Sequence, residues 1–171
     1  MEIKLAETIS KSEVFQQIQN YLEEQGFVII NSDQTRPWGG FFVIDENQSQ
    51  KFVNFFFKDV RSSDKNSEGK ISPKILVVAK EKRLSWQYHH RRAELWKVIS
   101  GKVGVVTSEN DEENEIQTKK EGDIIVLKKG ERHRLIGLKS WGVLAEIWKH
   151  TDKNHPSNEE DIVRIQDDFG R

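Results

Sequence analysis

Cysteine is absent from this chain of 171 residues, which excludes a disulfide scaffold, a thiolate zinc site and a cysteine nucleophile. Any metal ion would therefore need His, Asp, Glu or amide ligands. No stretch is apolar over the roughly 18 residues of a membrane helix, and no basic stretch runs into an apolar one as in a secretion signal. We therefore expect a cytoplasmic protein with no membrane partner.

An excess of charge of one sign is also lacking. The sequence has 27 lysine and arginine residues and 28 aspartate and glutamate residues, so the net charge is −1. A chain so balanced has no strong field to recruit nucleic acid, so we expect no nucleic-acid partner. The length is that of one domain with a proper core, so we expect no second large catalytic domain. The function is therefore expected in a local site.

One amphipathic helix is predicted over residues 10–26. Ser10 and Glu13 form a capping-box pattern at its start, and Gly26 is placed for the left-handed turn at its end. Apolar residues in between recur at the spacing that builds one helix face. They are Val14, Phe15, Ile18, Tyr21 and Leu22.

Short runs rich in Val, Ile, Phe, Trp and Thr follow, bounded by turn-forming residues, and predict consecutive strands. Without crossover helices, such strands favour an antiparallel sandwich or barrel. Residues 61–72 and 108–115 are polar and are predicted to be solvated loops, whereas 159–171 has no clear strand pattern. The predicted strands cover 27–30, 39–45, 51–59, 74–80, 83–90, 94–100, 102–107, 115–119, 123–128, 133–138 and 141–149.

The stretch 83–101 carries the most informative side chains. Gln87 and His89 share one face of a strand, and a hairpin can bring Glu94 back beside them. In the stretch 122–137, a turn at KKGE precedes His133. One amide, two imidazoles and one carboxylate form a nitrogen and oxygen set suited to zinc, manganese, iron or nickel. A slip of one residue in register would put His90 in the place of His89.

The spacing of these residues resembles the two linked motifs of the cupins. The first motif comprises Gln87, His89, Glu94 and Gly101, and the second comprises Gly122, Gly130 and His133. Within the cupins, the chain resembles most closely the type II mannose-6-phosphate isomerase family, known also as the C-terminal half of bifunctional isomerase/mannose-1-phosphate guanylyltransferases. The glycine-rich nucleotide motif of the transferase domain is nowhere in the sequence. Three signatures carry the resemblance: RPWG at 36–39, LSWQYHHRRAELW at 84–96 and EDIVRIQDDFGR at 160–171.

The resemblance implies a mainly β fold, the double-stranded β-helix or cupin jelly-roll barrel, over residues 36–171. Residues 1–35 would form an N-terminal helical extension with an α-helix. The family further implies a homodimer and one divalent metal ion, Zn2+ first, with Mn2+, Co2+, Ni2+ or Fe2+ as alternatives. By analogy with the family, the metal ligands are Gln87, His89, Glu94 and His133.

The implied activity is that of a metal-dependent aldose–ketose isomerase. Its partner would be a phosphosugar, converted from mannose-6-phosphate to fructose-6-phosphate in sugar-nucleotide or polysaccharide precursor metabolism. Two alternatives stay open. One is a cupin that binds a sugar or nucleotide-sugar without turning it over. The other is a different metal cupin activity, such as an epimerase or a dioxygenase, and the arginine-rich surroundings speak against a dioxygenase.

Glu146 is a candidate catalytic base because an ionised carboxylate is costly to bury in its apolar run, VLAEIW. The alternative is a structural ion pair with an arginine. Arg92 is the second catalytic candidate. Arg36, Arg134 and Lys128 are predicted to bind the phosphate, with plain surface or solvated roles as their alternatives.

Four motif positions depart from the family pattern without removing an implied ligand. The family usually has a third consecutive histidine, a histidine after the glutamate, a proline and an asparagine at these places. Here they are Arg91, Leu95, Lys128 and Gly137.

Overall fold

The chain begins with a helix that has the predicted ends. In the computed structural model, which describes residues 3–65, 67 and 69–171, α1 spans Lys11–Glu24. Ser10 and Glu13 form the complete capping box, and Gly26 has a φ of 72° in the turn that follows. Val14 and Ile18 are buried on the apolar face. The predicted helix is confirmed, and no helix in the described part of the chain is long and apolar enough to cross a bilayer.

Two antiparallel sheets form the body of the protein. This mainly β arrangement is the one the sequence predicts. The six-stranded sheet contains, in spatial order, β1 (Ile29–Asp33), β2 (Gly39–Ile44), β3 (Ile71–Val78), β10 (Gly142–His150), β5 (Arg92–Ser100) and β8 (Ile124–Leu127). The five-stranded sheet contains β11 (Ile162–Gln166), β4 (Trp86–His89), β9 (Arg132–Gly137), β6 (Lys102–Ser108) and β7 (Gln117–Lys120).

Residues 51–59, predicted as a strand, form a helix instead. Helix α2 spans Ser49–Phe56 and buries Phe52, Val53 and Phe56. The rings of Phe52 and Phe56, one helical turn apart, have their centroids at 4.7 Å. The aromatic content of this segment suggested a strand, but its buried positions follow the helical period.

Two smaller elements also differ from the sequence expectations. The predicted loop 61–72 includes the one-turn helix α3 (Ser62–Lys65) and the start of β3. Residues 66 and 68 of that prediction lie outside the described residues. Residues 162–166 form strand β11, although the sequence pattern of 159–171 did not indicate one. β11 pairs with β4 and so adds a strand to the sheet that carries the first motif.

The central strands of the six-stranded sheet are buried on both faces. In β3, Ile75 and Val77 pack with the residues of α1 and α2, whereas Leu76 and Val78 pack with residues of the five-stranded sheet. The side chains of β10 alternate between the two faces in the same way, and Ala145 packs on the face that the helices cover. The chain therefore has two apolar cores, one between helices and sheet and one between the sheets.

Motif glycines serve as turn residues. Gly101 between β5 and β6, Gly122 before β8 and Gly130 before β9 have φ values of 78°, 90° and 79°. Residues other than glycine seldom adopt such positive φ angles. These turns set the strand registers that bring the polar side chains together.

Candidate metal centre and its cavity

Three buried side chains meet between the two sheets. His89 Nε2 lies 3.1 Å from Glu94 Oε1, and His133 Nε2 lies 3.6 Å from Glu94 Oε2. The imidazole rings have their centroids 5.0 Å apart. One ligand atom from each residue falls within 4.8 Å of the others, so this group could hold a metal ion. His90, the alternative to His89, is exposed outside this group.

Both imidazoles turn the same nitrogen toward the centre. His133 Nδ1 lies 2.9 Å from the carbonyl oxygen of Glu131, and His89 Nδ1 lies 3.4 Å from that of Asp161. A proton on each Nδ1 leaves the Nε2 lone pair free. His133 Nε2 is buried and has no hydrogen-bond partner among the described residues. An orphaned nitrogen beside a carboxylate fits a bound cation better than a packed core.

The electrostatics also favour the ligand form of these groups. Burial lowers the pKa of His133 to about 4, although the charge of Glu94 opposes the shift. Burial alone would raise the pKa of Glu94, but His89, Arg92 and His133 outweigh it and hold the pKa well below its usual range. Near neutral pH the carboxylate is ionised and the His133 ring is neutral, as metal binding requires.

Gln87 lies in a row of residues across three strands. It is directly opposite His133 of β9 on one side and Arg164 of β11 on the other. Residues directly opposite on paired strands point to the same face of the sheet. All three line one cavity, and the Gln87 amide oxygen accepts a hydrogen bond from Ser85 Oγ. Gln87 is therefore beside the centre, and its role as a ligand stays a prediction.

Arg92 contacts the same atoms that a metal would use. Its Nε donates to Glu94 Oε1 at 2.8 Å, and its Nη2 lies 3.2 Å from His89 Nε2. The side chain is 2% exposed. Its guanidinium stands 3.5 Å from the centroid of the Trp148 ring, a cation–π contact. The structure thus places Arg92 inside the centre.

Glu146 shares a donor with Glu94. Trp96, directly opposite Glu146 in the sheet, directs one indole N–H toward both carboxylates, at 3.0 Å from Glu146 Oε1 and 3.1 Å from Glu94 Oε2. Burial, together with the negative charge of Glu94, raises the pKa of Glu146 to about 8. At neutral pH this carboxyl therefore retains its proton in most molecules.

The centre lines a cavity whose lining is rich in cations. The empty space inside it is about 660 Å³, a volume that includes the open solvent of its mouth. Arg36, Arg164, Arg171 and Lys74 all line it. The Arg164 side chain is exposed at the cavity and makes no hydrogen bond or ion pair with the described residues, while partial burial and the charge of Arg171 lower its pKa. A cation without a partner in such a cavity suits an anionic ligand.

The predicted phosphate ligands have different surroundings. Arg36 lines the cavity and forms an ion pair with Asp33 at 2.7 Å. Arg134 also lines it, but its buried guanidinium is occupied by Glu113 and by the backbone oxygens of Leu84 and Gln166. Lys128 is exposed and outside the cavity. The structure therefore does not bring Lys128 to the site.

Several lining residues received no role from the sequence. Arg164 and Arg171 belong to the closing signature EDIVRIQDDFGR, which could have pointed to them. Lys74 interrupts the apolar strand β3 as Glu146 interrupts β10, and the two are directly opposite each other. A charged residue inside an apolar run was thus a usable signal in both strands.

Solved structures that match part of this chain include a mutant enzyme and a barrel domain protein. A point mutant of oxalate decarboxylase from Bacillus subtilis has a TM-score of 0.55 and 12% identity, over 79% of this chain and 30% of that one. A Cupin 2 conserved barrel domain protein from Salinispora arenicola has a TM-score of 0.39 and 20% identity, over 46% of this chain and 61% of that one. This chain thus spans less than two thirds of either neighbour. No curated protein matches the sequence.

The sequence model of one family covers more than half of the chain. Described as mannose-6-phosphate isomerase C-terminal, it matches residues 58–167. This range runs through β3 to β11 and includes the buried histidines, Glu94, Glu146 and Arg164. The chain therefore belongs to the mannose-6-phosphate isomerase C-terminal family, a family of cupin-type domains.

Proposed function

We propose that this protein is a metal-dependent aldose–ketose isomerase acting on a phosphorylated sugar, with mannose-6-phosphate as the first candidate. The observation that carries the proposal is the Nε2 of His133, buried beside Glu94 without a hydrogen-bond partner among the described residues. The same cavity holds Glu146 and Arg164, whose side chain has no partner in the described part of the chain. The cation, the proton-transfer group and the anion site that such a reaction needs would lie in one cavity.

The centre would hold the cation through His89, Glu94 and His133, with Gln87 as a fourth ligand. A bound divalent cation supplies a Lewis acid for the oxygens on the first two carbons of an open-chain sugar. The chain contributes the orientation of both histidines through their Nδ1 contacts with backbone oxygens.

Glu146 is the proposed proton carrier. Isomerisation takes a proton from one carbon of the sugar and returns it to the neighbouring carbon, while the hydroxyl proton passes from the oxygen of the first carbon to that of the second. A carboxyl with a pKa of about 8 can accept and release a proton near neutral pH, which is the condition for efficient general acid–base catalysis. The Trp96 N–H bond fixes the position of its oxygen.

The phosphate would bind to the arginines of the cavity. The Arg164 side chain has no competing partner among the described residues, whereas each of the three nitrogens of Arg134 donates to a protein group. Arg36 and Arg171 add positive charge to the same cavity. We therefore assign the phosphate first to Arg164 rather than to Arg134 or Lys128.

A coupled isomerase assay tests the proposal. Purified protein is given Zn2+, Mn2+ or Co2+ and is assayed with mannose-6-phosphate, beside other hexose and heptose phosphates. We expect Glu146→Gln to lower kcat by about a hundredfold or more, and His89→Ala to abolish turnover. Arg164→Gln should raise KM for the phosphorylated sugar by about tenfold, because it removes one charge-assisted contact.

The control keeps the sugar and removes the phosphate. Free mannose should be a poor substrate for the wild-type protein and should respond little to Arg164→Gln. Absence of turnover for every sugar phosphate tested, in protein with full metal occupancy, would overturn the isomerase. Saturable sugar binding in that case would favour the alternative of a binding cupin.

A further inference from the structure

The contacts of Arg92 conflict with metal binding at His89. In the tautomer with the proton on Nδ1, which lies 3.4 Å from the Asp161 carbonyl oxygen, Nε2 carries the lone pair of the neutral ring. Arg92 Nη2 directs a donor to that lone pair from 3.2 Å. A neutral imidazole nitrogen has a single lone pair and cannot serve a hydrogen-bond donor and a metal ion together.

The same conflict exists, in weaker form, at Glu94. Arg92 Nε donates to Oε1, the oxygen that also lies 3.1 Å from His89 Nε2. The guanidinium therefore supplies the positive charge that balances the buried carboxylate, which is otherwise a task for the cation. At the third ligand the arrangement differs, because His133 Nε2 has no partner within the described chain.

A separate set of contacts holds Arg92 in this position. Its Nη1 donates to Ser157 Oγ at 2.9 Å and to the Asn158 carbonyl oxygen at 3.3 Å. The Trp148 ring stacks on the guanidinium, and Trp148 lies directly opposite Glu94 in the sheet. None of these contacts involves a ligand atom, so Arg92 can keep partners when Nε and Nη2 withdraw from the centre.

We propose that Arg92 is a latch of the metal centre: its guanidinium occupies the ligand atoms of His89 and Glu94 when no metal is bound, and metal binding displaces it. This inference depends on the metal centre of the proposed function. It adds that metal affinity is set by competition with a side chain of the protein. Displacement also releases a cation inside the cavity in which the sugar phosphate is proposed to bind.

Metal affinity measured on four forms of the full chain tests the latch. Zn2+ binding to the wild-type protein, Arg92→Gln, Arg92→Lys and Arg164→Gln is followed by calorimetry in a competing chelator. Arg164→Gln is the matched control, because it removes one positive charge from the same cavity without touching a ligand atom. We expect Arg92→Gln to bind Zn2+ at least about tenfold more tightly than both the wild-type protein and this control.

Arg92→Lys separates geometry from charge. Lysine keeps the charge but lacks the planar group that reaches two ligand atoms at once, so its Zn2+ affinity should also exceed that of the wild-type protein. Equal affinity of Arg92→Gln and Arg164→Gln would overturn the latch and leave the metal centre intact. Failure of all four forms to bind Zn2+ would overturn the latch together with the metal part of the proposed function.

A measurement on the wild-type protein covers the case in which Arg92→Gln does not fold. The Nε–H signal of Arg92 in nitrogen-15 NMR spectra should be protected from exchange in chelator-treated protein, because the group is buried and bonded to Glu94. Addition of Zn2+ should shift this signal and shorten its protection. A signal that stays unchanged at saturating Zn2+ would refute the displacement.

Discussion

Replacing the buried carboxyl of Glu146 by an amide, in the variant Glu146→Gln, tests whether the cavity holds this group protonated. The amide keeps the size of the side chain and the oxygen that accepts the Trp96 N–H bond. It cannot ionise, so it remains in the neutral form at every pH. The comparison of the two proteins therefore isolates the energy of ionising Glu146.

The sign and size of the effect follow from the pKa of Glu146. Burial raises this pKa to about 8, above the ordinary value of 4.5, so between these values the folded state binds more protons than the unfolded state. Stability from this group is therefore fully present below about pH 4.5 and is lost as pH rises toward about 8. From about pH 5.5 to about pH 7.5 the wild-type protein should lose about 2.5 kcal/mol relative to Glu146→Gln.

Urea unfolding of metal-free protein, followed by tryptophan fluorescence, measures this difference across the pH range. Glu159→Gln is the control, because Glu159 lines the same cavity but has a pKa lowered by Lys74 against the opposing effect of burial. Its difference from the wild-type protein should stay constant over the same range. A constant difference for Glu146→Gln as well would refute the raised pKa and remove the reason to assign proton transfer to Glu146.

Three further changes test other parts of the site. His133→Ala removes the orphaned nitrogen, so its Zn2+ affinity by calorimetry should fall by more than about tenfold; unchanged affinity would contradict the centre. Arg134→Met removes a buried guanidinium that donates to Glu113 and two backbone carbonyls, and the free energy of unfolding in urea should drop by about 3 kcal/mol. Wild-type stability in that variant would mean that these bonds contribute nothing. Lys128→Ala, on an exposed turn, should leave KM for mannose-6-phosphate within about twofold, and a larger rise would return Lys128 to the phosphate site.

The sequence could bring most side chains of the candidate centre together because that part of its information is local. Gln87, His89 and Glu94 lie within one hairpin, so strand alternation alone indicates which side chains share a face. The family motifs added His133, whose distance along the chain no periodicity could bridge. The helix at residues 10–26 was also predictable, since both of its ends carry capping residues.

The cation-rich part of the cavity required information that local patterns do not hold. Arg164 enters the site because β11 pairs with β4, a contact between residues far apart in the sequence. The strand is partly exposed and gives no alternating apolar signal. The strand predicted over residues 51–59 was wrong because Phe52, Val53 and Phe56 suit a strand by composition. Only the spacing of these residues indicates a helix.

The helical layer on the six-stranded sheet also limits how two copies of the chain can assemble. Helices α1 and α2 cover the outer face of β3, β10 and β5, where residues such as Ile75 and Ala145 are fully buried within a single chain. A homodimer that packed these two sheet faces against each other would first require the helices to detach from the sheet in both copies. The predicted dimer is thus directed toward the strand edges or the five-stranded sheet.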